Sequence, residues 1–139
     1  MIGAKLQFER LVYDHLIPEF CSKSNRNLNP TGFRKKSVTV SEEDARYFML
    51  AWDAGLIEHQ GYGIYRAAQS KVGEQFFWEG LRKVTPRPFT LWLEPVITVG
   101  GLARLHFDHR WPKDSLGCQS KDWAFDLIAS VDSDGSIHI

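Results

Sequence analysis

Long hydrophobic runs are missing from this sequence. No apolar stretch approaches the ~18 residues of a membrane-crossing helix, and the opening MIGAKLQFER lacks the layout of a secretory leader. Cysteine is scarce. Cys21 and Cys118 stand far apart, and neither has a second ligand at metal-knuckle spacing. This excludes a disulfide-stapled scaffold and a zinc knuckle, and makes a reduced, cytoplasmic protein the expectation. Net charge is absent as well: 17 Lys and Arg match 17 Asp and Glu, so no global field draws nucleic acid, a membrane surface or an acidic partner. What is present is an ordinary globular composition, 43% hydrophobic and 24% charged over 139 residues. That is enough for one domain, residues 1–139, with a core of its own.

Charge is uneven along the chain. Residues 1–40 hold seven bases against three acids, 41–60 one base against five acids, 61–112 seven bases against four acids, and 113–139 two lysines against five aspartates. Blocks of alternating sign suit a bipolar surface, with a basic side for phosphates and an acidic tail for a metal. Random variation over short windows would produce the same blocks.

The periodicity predicts a helix over Ala4 to Ile17, with Leu6, Leu11, Tyr13, Leu16 and Ile17 on an apolar arc and Pro18 ending or kinking it. Residues 22–37, SKSNRNLNPTGFRKKS, have the composition of a long exposed loop. Ser41 followed by Glu42, Glu43 and Asp44 resembles a capping box, and Ala45, Phe48, Met49, Trp52 and Leu56 share one helical face that Gly55 closes. From Gly61 to Trp92 the glycines, β-branched residues and aromatics predict strands, with Gly61-Tyr62-Gly63 as a turn and TPRP at 85–88 as a breaker. Glu94-Pro95 opens a further helix, in which Val96, Val99, Leu102, Ala103, His106 and Phe107 fall within about 140° of arc. After a loop, KDSLGCQSK, residues 122–131 form a strand, Asp132 to Gly135 a turn, and Ser136 to Ile139 a returning strand. The fold class expected is α+β: N-terminal helices, a strand-rich middle, a helix and a C-terminal β-hairpin. Phe48, Met49, Trp52, Val99, Ala103, Phe125 and Leu127 are the expected core.

Alternation along the strand at 122–131 makes Trp123, Phe125, Leu127, Ala129 and Val131 one apolar face. The other face sets Asp126 between Ala124 and Ile128. A carboxylate there needs a metal, a cation or a hydrogen-bond donor, because an unpaired buried charge is costly.

An acidic residue at a helix start, then a strand carrying Asp, then a tight hairpin resembles the opening of the PD-(D/E)XK endonuclease core. Glu94, Phe125-Asp126-Leu127 and Asp132 to Gly135 carry the resemblance, which spans about a third of the chain. In that family the strand Asp, with the Glu and Lys of an E-x-K on the following strand, holds a divalent metal and activates water for phosphodiester cleavage. The resemblance therefore implies that Asp126 and Glu94 are the catalytic and metal-binding acids, with Mg²⁺ or Mn²⁺ bound weakly. The E-x-K is lacking, since the sequence given stops at Ser136-Ile137-His138-Ile139. A core truncated at the C-terminus and catalytically incomplete is the expectation, because one carboxylate cannot replace the several oxygen ligands a hard cation takes.

Arg26, Arg34, Lys35 and Lys36 are the expected nucleic-acid contacts, binding phosphates by counterion release. A solvated loop accounts for the same cations. His106 and His109 could offer two imidazoles at i and i+3, but a satisfied core histidine is the expected role of His106. Cys21 has Lys23 as its only cationic neighbour in sequence, which does not make a nucleophile. Two functions follow from different classes. The first is a nucleic-acid-directed protein related to the endonuclease-like core. The alternative is a small cytoplasmic protein-binding module, such as a toxin-immunity protein or an enzyme inhibitor, in which exposed aromatics would anchor a partner protein. The oligomeric state is not legible.

Overall fold

The computed structural model describes residues 3–22, 28–34, 40–70, 73–81, 83–118, 127–130 and 136–138. The N-terminal segment is helical throughout, as α1 (Ala4–Arg10), a π-helical stretch (Leu11–Leu16) and α2 (Ile17–Cys21). Pro18 does not stop it. The residue sits in the first turn of α2, where the lost N–H matters least, directly after backbone wound with i→i+5 bonds. The π winding also corrects the expected apolar arc. Phe8, Val12, Leu16 and Phe20 are buried at four-residue spacing, while Leu6 and Tyr13 are exposed. In a pure α-helix that spacing would drift by about 40° per step; the wider π turns hold it on one face.

Ser41 caps α3 (Glu42–Asp53), its hydroxyl accepting the Asp44 N–H at 3.1 Å, and Gly55 follows the helix at φ +69°. Glu42 has a second task. Its carboxylate accepts the N–H groups of Ala4 at 2.8 Å and Lys5 at 3.2 Å, capping α1 from another element. Helix α4 (Leu93–Ala103) crosses α3 closely, since a Cβ on Gly100 would lie 3.2 Å from Tyr47 Cβ. Val96, Val99, Leu102 and Ala103 are buried as expected, but Phe107 is exposed and Leu105 is inside. A second π-helical stretch, Arg104–Asp108, spans this change.

Among the described residues, three antiparallel sheets complete the α+β architecture. The first joins β1 (Ile57–Gly61), β2 (Ile64–Ala67) and β3 (Glu74–Gln75). Its turn takes three successive positive φ values at Gly61, Tyr62 and Gly63. The second pairs β4 (Phe77–Glu79) with β5 (Phe89–Leu91). The third is a meander of β6 (Leu116–Cys118), β7 (Leu127–Ser130) and β8 (Ser136–His138). β6 corrects the expected loop at 113–121. A 3₁₀ turn over Lys113–Ser115 leads into it, and the Leu116 carbonyl accepts the Gln69 N–H at 2.7 Å, which ties this strand to the end of β2.

The core is an aromatic chain. Phe8 meets Phe48 edge-on at 5.0 Å, Phe48 meets Phe76 at 5.8 Å, and Phe76 stacks on Tyr65 at 4.3 Å. Phe20, Phe77, Phe89 and Phe33 extend it beneath the β4–β5 pair. Of the expected core, Phe48, Val99 and Ala103 are fully buried, whereas Met49 and Trp52 are half-buried against it. Phe125 lies outside the described residues.

Candidate functional site

The hairpin of β4 and β5 has two unlike faces. Phe77, Phe89 and Leu91 turn inward and are buried; Trp78 and Trp92 turn outward and are 50% and 45% exposed. Alternation produces this split, and Thr90, opposite Trp78 in register, shares its face. Three aromatics in a row, Phe76 to Trp78, would place Phe76 outside as well. A bend at Phe76 breaks the alternation and sends both phenylalanines into the core.

The segment before α3 joins this hairpin. Asn29 caps a 3₁₀ turn at Pro30–Gly32 by accepting the Thr31 N–H at 3.0 Å, and Phe33 then bridges Phe89 in parallel. This part of the expected exposed loop is packed: Gly32 is buried and the Phe33 ring lies 5.4 Å from Phe89. The Arg34 N–H donates to the Phe89 carbonyl at 2.8 Å, and the Thr90 hydroxyl reaches the Arg34 carbonyl at 3.4 Å. Because Phe33 faces inward, alternation directs the exposed Arg34 to the same side as Trp78 and Thr90. Of the expected nucleic-acid contacts, Arg34 borders β5 on the edge away from β4; Arg26, Lys35 and Lys36 lie outside the described residues. The tryptophans escaped the sequence reading. The signal was there in the spacing of Trp78 and Trp92 about the 85–88 breaker, which pairs them onto one face once the register is known.

Two stretches of sequence next to the hairpin strands are basic. Residues 33–36 and 80–88 contain Arg34, Lys35, Lys36, Arg82, Lys83 and Arg87 and no acid. Glu79, the acid of β4, is bound to the Arg87 guanidinium at 3.0 Å.

The acids suggested by the endonuclease resemblance are split. Glu94 stands exposed in the first turn of α4. Asp126, which directly precedes β7 in sequence, lies outside the described residues. Among the described residues no group of three His, Cys, Asp or Glu side chains is placed to hold a metal ion. Glu94 alone does not meet the oxygen count of Mg²⁺ or Mn²⁺.

Two other polar clusters are structural. A cleft of about 280 Å³ is lined by Asp14, His15, Glu19, Trp52 and His59. Its polar groups hold the Gly61–Gly63 turn against α2: Glu19 accepts the Tyr62 N–H at 3.1 Å, and His59 Nε2 accepts the Gly63 N–H at 3.3 Å. His106 Nδ1 bonds the Trp111 carbonyl at 2.8 Å, the satisfied role expected of it, and His109 is exposed. Cys21 is a half-buried free thiol, and burial pushes its pKa up to about 11, so little thiolate exists near neutrality.

No protein-family model matches the chain, and no curated protein or solved structure matches it either. No helix among the described residues is long and apolar enough to cross a membrane.

Proposed function

We propose that this is a nucleic-acid-directed protein related to the endonuclease-like core and catalytically incomplete as given. The observation that carries the reading is the order of elements at the C-terminal end. Helix α4 is followed by three antiparallel strands in meander order and packs against β6 and β7. The resemblance expects a helix with an acid at its start, a strand carrying Asp and a returning strand; α4, β7 and β8 support that order, with β6 inserted after the helix and Asp126 directly before β7 in sequence. A lone pair of acids without an E-x-K binds Mg²⁺ or Mn²⁺ weakly and lacks a group to orient and deprotonate water. Mobility-shift titrations of the 139-residue chain should show salt-sensitive retention of nucleic acid, and a Mn²⁺ nuclease assay should show no cleavage. Failure to retain any nucleic acid contradicts the reading. Robust cleavage lost in Asp126→Ala contradicts the incompleteness.

A second reading, the protein-binding module, draws on the exposed apolar side chains of Leu81 and Val84, between β4 and β5, and of Leu93 and Ile97 in α4. Such side chains anchor protein partners when they cluster.

A further inference from the structure

We propose that His59 is a proton-operated latch on the Gly61–Gly63 turn: the neutral ring holds Gly63, and the protonated ring releases it and binds Glu19 instead. Neither nucleic acid nor a metal takes part. One nitrogen has two claimants. His59 Nε2 accepts the Gly63 N–H at 3.3 Å, and the same nitrogen stands 3.5 Å from Glu19 Oε1. The amide needs a lone pair on Nε2 and the carboxylate needs a proton there, so the nitrogen serves one partner in each charge state. The Gly63 bond assigns the neutral ring its proton on Nδ1. A proton taken from solvent onto Nε2 turns the acceptor into a donor, sets two N–H groups against each other, and places a cation beside Glu19.

The surroundings make this an exchange of partners in place. The His59 side chain is 18% exposed, and its ring lies 5.6 Å from that of Trp52 and 6.4 Å from that of Phe76. Among the described residues, the titratable groups that face it are Asp14, His15 and Glu19 from the N-terminal helical segment and Tyr65, opposite it in register on β2; α3 brings Trp52. Glu19 is the partner within reach of Nε2, and its Oε1 already accepts the Tyr62 N–H at 3.1 Å, so one carboxylate collects both donors. The turn is poised to move once Gly63 is let go. Gly61, Tyr62 and Gly63 have φ values of +97°, +54° and +78°, and Tyr62 is the non-glycine among them, in a conformation that L-residues disfavour. Gly63 is buried, and a buried N–H without an acceptor drives the backbone to rearrange. The Gly63 carbonyl accepts the Phe76 N–H at 2.8 Å, so the turn is also tied to the bend that leads into β4.

The test is NMR of the full chain from about pH 8 to about pH 5, following the His59 ring nitrogens and the protection of the Tyr62 and Gly63 amides against hydrogen exchange, corrected for the intrinsic pH dependence of exchange. At the alkaline end the ring should be the Nδ1–H tautomer. As it gains its second proton, Gly63 protection should fall about tenfold, while that of Tyr62, held by Glu19 throughout, stays level. His59→Gln supplies an amide oxygen that accepts at every pH and should keep Gly63 protection level, with circular dichroism confirming its fold. Glu19→Gln offers the protonated ring no counter-charge and should move the Gly63 loss to more acid pH. A Gly63 amide that keeps its protection while the ring titrates overturns the proposal, as does a ring that holds one charge state throughout or carries its proton on Nε2 at the alkaline end. The same loss in a folded His59→Gln assigns the response to another group and overturns it too. Where His59→Gln does not fold, the titration of the parent chain decides alone.

Discussion

The backbone N–H of Arg34 donates to the carbonyl of Phe89 at 2.8 Å, and this bond sets a basic segment against an aromatic hairpin 55 residues further along the chain. Neither segment alone marks a site. Joined, they set Arg34 along the edge of the strand that pairs with Trp78.

Gly32 controls that junction. A Cβ there would lie 2.1 Å from the Arg87 carbonyl oxygen, a backbone atom that cannot step aside. Gly32→Ala should therefore cost about 1–3 kcal/mol in urea unfolding and weaken oligonucleotide binding as Arg34 moves off β5. Unchanged stability and unchanged binding would show that the segment does not depend on this contact.

Core truncations should separate two residues that share one helix face. Phe48 is fully buried between Phe8 and Phe76, so Phe48→Ala should cost about 3–5 kcal/mol. Trp52 is half-buried and stacks at the margin of the core, 6.0 Å from Phe48, so Trp52→Ala should cost roughly 2 kcal/mol. Chemical denaturation of both variants checks the order; a costlier Trp52→Ala would contradict it.

The legible parts of the sequence are those where local chemistry and the packed face agree. Ser41 and Gly55 bracket α3 because a hydroxyl cap and a left-handed glycine act within their own turn. Gly61 to Gly63 is a turn for the same local reason. The π windings at Leu11–Leu16 and Arg104–Asp108 were not legible, since period counting assumes 3.6 residues per turn. Within them Tyr13 and Phe107 are exposed and Leu105 is buried. Strand β6 was hidden because LGC is too short to show a period, and its pairing with β7 is a tertiary choice. The site was half legible. Arg34 stood out as part of a basic run, but the exposure of Trp78 depends on a bend at Phe76, which nothing local in FFWEG announces.

Alkaline pH should expose the cost of burying Cys21. Its thiol ionises at an ordinary value of 9.0 in the unfolded chain and at about 11 in the folded one. Below pH 9 both states are protonated and stability is level in this group. Between pH 9 and 11 the unfolded state loses its proton first, so stability falls as pH rises. Tyr13, raised by burial and by Glu9, adds a loss of the same sign above pH 10. Thermal melts of the parent and Cys21→Ser, followed from pH 7 to about pH 11, should diverge above pH 9, with the serine variant falling less. Parallel curves would contradict the buried-thiol account. With Cys118 replaced by Ser, Cys21 should also react slowly with iodoacetamide at neutral pH.

The most direct measurement is photocrosslinking of the chain to a single-stranded oligonucleotide carrying 5-iodouracil, followed by peptide mapping. The account predicts adducts in the basic segment that carries Arg34, lost at high salt and reduced by Arg34→Ala. Adducts confined to other segments, or no adduct under conditions where a known single-strand binder is labelled, would contradict it.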